Sequence, residues 1–263
     1  FTGNVTEGSF CPNCYGAGGG AIATTDSGNV YPFVIKRGIF NGNAAQKGVG
    51  GAIFHKAGTL MTISDSTFQG NHAGAPGAEA VGGAIHNVYD MVIKRSTFTA
   101  NSAQGNGGAI STETSGGDHT LTLRMVAFTG NNASGKGGAL AIMGLNSSAA
   151  KIDAKGLQIT GNAADNGGGG IYVNDSKYDK AEFKMSVWQT LPQNCLDSNL
   201  LDDNLPKPAE SNPPIDSKGQ NSFSDNACDD DDDDEDDKES DAINPAPQLE
   251  APANNGGVPG MLT

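Results

Sequence analysis

The sequence repeats itself about every thirty residues, and that period restricts the possible folds more than any other feature. Two signatures alternate along it. The first, Phe-x-x-Asn, stands at Phe1/Asn4, Phe40/Asn43, Phe68/Asn71, Phe98/Asn101 and Phe128/Asn131, with Ile159/Asn162 as a variant. The second is Gly-Gly followed by small and aliphatic residues: Gly19-Gly20-Ala21-Ile22, Gly50-Gly51-Ala52-Ile53, Gly82-Gly83-Ala84-Ile85, Gly107-Gly108-Ala109-Ile110, Gly137-Gly138-Ala139-Leu140 and Gly169-Gly170-Ile171. From Phe40 onward the first signature recurs after 28, 30, 30 and 31 residues, too regular for accident and too irregular for a coiled coil.

Apolar residues stand seven and five positions before each Phe or Ile anchor, at Phe33/Ile35, Met61/Ile63, Met91/Ile93, Leu121/Leu123 and Ile152/Ala154. That alternation is the signature of strands sharing one buried face. A strand-rich unit that cannot bury its own apolar face must stack on copies of itself. The spacing therefore predicts an all-β fold: a right-handed, single-stranded parallel β-helix, a solenoid of about six coils lying about 4.8 Å apart, with a C-terminal cap and an irregular acidic tail. In such a stack Phe40, Phe68, Phe98 and Phe128 form an apolar column, while Asn43, Asn71, Asn101, Asn131 and Asn162 pass amide hydrogen bonds from coil to coil. The paired glycines supply positive φ and close backbone approach where a strand begins. Ala45, Ala73, Ala103, Ala133 and Ala164 suit a crowded corner.

Composition and charge agree with this reading. Glycine makes up 38 of 263 residues and aromatics 6%, which argues against a helical bundle or a doubly wound sheet built on large side chains. No apolar stretch has the length of a membrane helix, and Phe1 to Phe10 lacks the order of a signal peptide. The sequence opens inside a repeat, which reads as a cut edge with room for coils before it. The net charge of −14 is uneven: residues 1–190 carry 13 basic and 12 acidic side chains, and 191–263 carry 3 and 18. A near-neutral body with an acidic tail does not predict nucleic acid as a partner. The expected domains are the β-helix over 1–190, a Pro/Asn-rich cap segment closed by a disulfide over 191–228, and an acidic, then Pro/Ala/Asn-rich, tail over 229–263.

Alternating Gly-Gly-Ala-Ile and Phe-x-x-Asn motifs resemble the passenger repeats of the chlamydial polymorphic outer-membrane proteins, which are β-helical autotransporter adhesins. The resemblance covers about residues 1 to 175 and implies an extracellular or cell-surface, adhesive role. This sequence departs from that family in showing no C-terminal run of alternating ten-residue strands for a membrane barrel. Self-export and outer-membrane anchoring are therefore not expected from the residues present.

Beyond the coils, Phe183 to Trp188 reads as a last strand, with Trp188 covering the open end of the core. The run 229–239 holds ten acidic residues and Lys238, a block that repels itself and offers at most a weak Ca2+ sink. No ordered metal site or cofactor is expected. Four cysteines allow three pairings, and the two local ones, Cys11 with Cys14 and Cys195 with Cys228, suit an extracellular chain best. The second would close a long loop and stabilise by roughly 3 to 4 kcal/mol. Sequons stand at Asn4, Asn132, Asn146 and Asn174; Asn4 belongs to the amide ladder, so Asn132, Asn146 and Asn174 are the glycan candidates if the source is eukaryotic.

Many parallel β-helices are polysaccharide lyases or glycoside hydrolases, so a carbohydrate-active enzyme is the alternative function. Such a site needs carboxylates that converge on one outward face. Asp65, Asp90, Asp118, Asp153 and Asp165 fall at different positions of their coils, and His55, His72, His86 and His119 also stand at unrelated positions, mostly surface or loop. No catalytic residue is therefore assigned. One outward column is coherent: four residues before each anchor stand Lys36, Ser64, Lys94, Arg124 and Lys155. Lys36, Lys94, Arg124 and Lys155 are the candidate ligand-binding residues, able to grip an acidic polysaccharide or a partner protein. The expected function is an extracellular structural or adhesive scaffold within a surface or filament assembly.

Overall fold

Each thirty-residue period forms one turn of a β-solenoid, because its strands find hydrogen-bond partners only in the periods before and after. The structure is a computed structural model that describes residues 1–7, 18–25, 31–75, 80–113, 119–143 and 151–174. Beyond these it describes the backbone of Ala181–Lys184, Val187–Gln189, Cys195–Asp197, Ile215–Ser217, Ser222–Phe223 and Ala242–Ile243. Among the described residues there is no helix, and the strands pair in parallel.

Three sheets wrap the core. The long face stacks Phe33–Lys36, Met61–Ser64, Met91–Thr99, Thr120–Thr129 and Lys151–Thr160 in sequence order. The second face stacks Ile22–Thr25, Ile53–Lys56, Ile85–Asn87, Ile110–Glu113, Leu140–Met143 and Ile171–Asn174. A short third sheet of two-residue strands runs from Val5–Thr6 through Ala44–Ala45 to Ala163–Ala164. The well-enclosed body makes about four turns, counted along the amide ladder from Asn43 to Asn162. That is fewer than the six coils expected, and the first coil is only partly covered, with Phe1, Val5 and Phe33 exposed.

Register explains why these residues fold this way. Phe40, Phe68, Phe98, Phe128 and Ile159 lie directly above one another, all fully buried. Successive rings from Phe1 to Phe128 stack with centroids 4.6 to 5.2 Å apart. Ile35, Ile63, Ile93, Leu123 and Ala154 form a parallel inward column. Burying each large side chain contributes about 2 kcal/mol, so each added coil strengthens the same core. Phe33 was expected inside but is 38% exposed, since no described residue covers that end of the stack.

The two glycines of each pair do different work. Gly107 has φ +72°, a turn conformation a side chain resists, and a Cβ there would strike the carbonyl of Ile110. Gly108 has no positive φ, but its Cβ would land on the backbone of Gly138 and Asn132 in the next coil. One glycine makes the turn; the other permits the coil spacing.

The asparagines complete the frame. Asn71 Oδ1 accepts from both the backbone N and the Nδ2 of Asn43, at 3.0 and 2.9 Å, and the same pair of bonds recurs at Asn101, Asn131 and Asn162. Each of these Nδ2 groups also donates to the carbonyl of the phenylalanine one coil earlier, as Asn101 does to Phe68 O at 3.0 Å. Asn4 joins the ladder by donating to Asn43 at 2.8 Å.

Candidate functional site

On the outside of the long face, Lys36, Ser64, Lys94, Arg124 and Lys155 are paired Cα to Cα in consecutive coils. Lys184 follows in the backbone register. Lys36, Lys94 and Lys155 are exposed, Arg124 is half-buried and Ser64 is buried. The column stands on the strands because each of these residues directly follows an inward Ile, Leu or Ala of the core.

The residue after each column member forms a corner that periodicity alone did not reveal. Arg37, Asp65, Arg95 and Met125 all have φ between +45° and +53°, and Gly156 has +66°. This left-handed step places two outward residues in succession in each coil. Four non-glycine residues in that conformation carry strain that the surrounding ladder must hold.

Serines inside the corner supply part of the restraint. Ser66 Oγ donates to Ser64 O at 2.8 Å and accepts from Gly38 N at 3.0 Å. Ser96 Oγ repeats this, donating to Lys94 O at 2.8 Å and accepting from Ser66 N at 3.1 Å. These hydroxyls bridge the left-handed residue and fix the backbone that carries the cations. Val126 and Leu157 take the same position in the next two coils. The aligned Ser66 and Ser96, thirty residues apart, were the sequence signal for this second ladder.

Ion pairs decorate the corner. Arg95 Nε and Nη2 grip Asp65 Oδ1 and Oδ2 at 2.7 and 2.9 Å, a two-point contact across coils. The Arg95 guanidinium holds the Asp65 carboxyl below its ordinary range and is itself raised in return. Arg124 binds the Asp153 carboxylate and donates to the carbonyls of Leu123 and Asp153 at 2.9 and 2.8 Å. Among the described residues no acid pairs with Lys36, Arg37, Lys94 or Lys155.

The other candidates are dispersed. Asp90 Oδ1 accepts from Thr120 N at 2.7 Å, so it organises backbone, and Asp65 and Asp153 occupy different columns. Among the described residues no three His, Cys, Asp or Glu side chains gather as metal ligands. Two of the histidines expected at the surface are buried. His55 Nε2 donates to Thr59 O at 2.9 Å while Nδ1 meets Thr24 Oγ1 at 2.8 Å, and burial lowers its pKa. His86 stacks on Phe54 at 5.5 Å, 2% exposed, with burial lowering its pKa to about 4. Both lie on strands whose outer as well as inner residues are covered, a circumstance that alternation did not reveal.

Asn132 is exposed on a third-sheet strand, whereas Asn4 is engaged in the ladder. Asn146, Cys11, Cys14, Cys228 and the acidic run 229–239 lie outside the described residues. For Asn174, Trp188 and Cys195 only the backbone is described, so both cysteine pairings and the Trp188 cover lie outside as well. The Trp188 backbone continues the column of Phe128 and Ile159, and Cys195 pairs beside Ile171. No helix among the described residues is long and apolar enough to cross a membrane.

With this geometry in view, comparison with known proteins adds one match. No curated protein and no solved structure matches the chain. Residues 95–113, which run from the corner arginine through the ladder asparagine and the paired glycines to the second face, match the Chlamydia polymorphic membrane protein repeat.

Proposed function

We propose that this chain is a surface or adhesin-like scaffold that works by contact, as a unit of a surface or filament assembly, through the outer side of its long face. The polymorphic membrane protein repeat and the β-solenoid support the scaffold reading. The observation that carries the choice of face is the outward cationic column, held in register by the parallel strands and the asparagine ladder. Partners of this face are proteins of the assembly or an acidic polysaccharide. Catalysis would need convergent carboxylates, and the corner acids each hold an arginine instead.

The test is location and rebinding. Antibodies against the coiled body should label intact, unpermeabilised source cells, and purified chain should rebind saturably to cells stripped of it. Staining only after permeabilisation would overturn the reading.

A further inference from the structure

The corner of the long face runs against the charge of the whole chain. Its two outward positions per coil hold Lys36-Arg37, Ser64-Asp65, Lys94-Arg95, Arg124-Met125 and Lys155-Gly156. Both carboxylates near this strip, Asp65 and Asp153, are taken by Arg95 and Arg124. The remaining cations therefore face solvent without an acidic partner among the described residues.

We infer that this corner binds a linear carboxylated polysaccharide laid along the solenoid axis, crossing coil after coil. This rests on the surface-scaffold reading and names the ligand class its long face takes. Coils repeat about every 4.8 Å, so a chain running across them meets cationic side chains in four of the five coils, Ser64-Asp65 being the exception. A chain running along a strand would meet one coil's pair and then leave the charge behind. Uronate polymers present carboxylates at regular intervals along their length, which matches the first course and not the second.

Two further observations favour charge over stacking as the mode of recognition. Exposed aromatic rings among the described residues are Phe1, Tyr31 and Phe33, all at the N-terminal end, so beyond Lys36-Arg37 the corner offers no ring platform for a neutral sugar. The corner backbone at Ser64 and Lys94 is already fixed by the bonds from Ser66 and Ser96, so binding there orders little beyond the lysine side chain. The net charge of −14 does not oppose this, because fields reaching beyond about 10 Å are screened at moderate salt while direct contacts persist.

Titration of the whole 1–263 chain with polygalacturonate at low and physiological salt, against a neutral galactan, tests the inference. Binding should be confined to the acidic polymer and should weaken as salt rises. The double substitution Lys94→Glu with Lys155→Glu should lower affinity by about tenfold or more, since two contacts become repulsive. Asp153→Asn should raise affinity by about threefold, because Arg124 then loses its internal counter-charge. Melting curves establish that these exposed changes leave the fold intact. Equal affinity for parent and double variant, or no binding at low salt, would overturn the inference. Self-association that the double variant abolishes, with no polysaccharide binding, would assign the corner to an acidic segment of a second copy and would also overturn it. A chain found on the cell surface that ignores polygalacturonate loses only this ligand assignment; an intracellular chain loses the scaffold reading whatever it binds.

Discussion

A single ladder asparagine makes more bonds than any other side chain described here, and all of them lie out of water. Asn101 accepts from Asn71 N and Nδ2, and donates to Phe68 O and Asn131 Oδ1. Truncation by Asn101→Ala would leave buried donors and a carbonyl unmatched, so equilibrium denaturation should show a loss of about 3 kcal/mol. The same change at the exposed Asn4, whose amide bonds on one side only, should cost under about 1 kcal/mol; equal losses at the two sites would refute the ladder as a source of stability. The residue just before Asn101 carries strain of its own. Ala100 has φ +53°, where the other coils place Gly42, Gly70, Gly130 and Gly161. Ala100→Gly should therefore stabilise by about 0.5 to 1 kcal/mol, read as a raised denaturation midpoint.

Between coils, what matters is how closely one backbone lies on the next. The two glycine roles separate cleanly under substitution. Gly70→Ala, at φ +60° with open space around its Cβ, pays only the left-handed strain of about 1 kcal/mol. Gly108→Ala drives a methyl into the backbone of the neighbouring coil and should cost several kcal/mol or prevent folding. Comparable soluble yield and melting for the two variants would sink the close-approach account. Much of this level was legible in the sequence, for a physical reason: a solenoid puts equivalent residues in contact, so Phe68, Phe98 and Phe128 had to repeat if they were to stack. What escaped was whatever repeated without a distinctive residue type. The left-handed corner holds Arg37, Asp65, Arg95, Met125 and Gly156, five positions whose side chains share little but a backbone angle. The covered outer side of the second face escaped because alternation marks which side a residue points to, not whether that side is also covered, and so His55 and His86, expected at the surface, are buried.

At the scale of the whole molecule the coils share one continuous core, so a perturbation in one level weakens its neighbours and the stack should lose stability as a unit. Acid is one perturbation to which the buried histidines expose the fold. His86 has its pKa lowered to about 4 in the folded chain, because burial outweighs the opposing backbone hydrogen bond at Ser111. In the unfolded chain an exposed histidine takes its proton near pH 6.5. A folded pKa below the unfolded one means that the unfolded state binds the extra proton first. Stability is therefore undiminished above about pH 6.5, declines as pH falls toward 4, and changes no further on this account below that. The full difference amounts to about 3 kcal/mol, and His55, lowered by burial in the same direction, adds to it. His86→Phe would keep an aromatic ring over Phe54 and remove the titrating group. Denaturation midpoints measured from pH 7 down to 4.5 should fall steeply for the parent and more gently for this variant. Parallel declines for the two proteins would show that the buried imidazole does not set the acid limit of the stack.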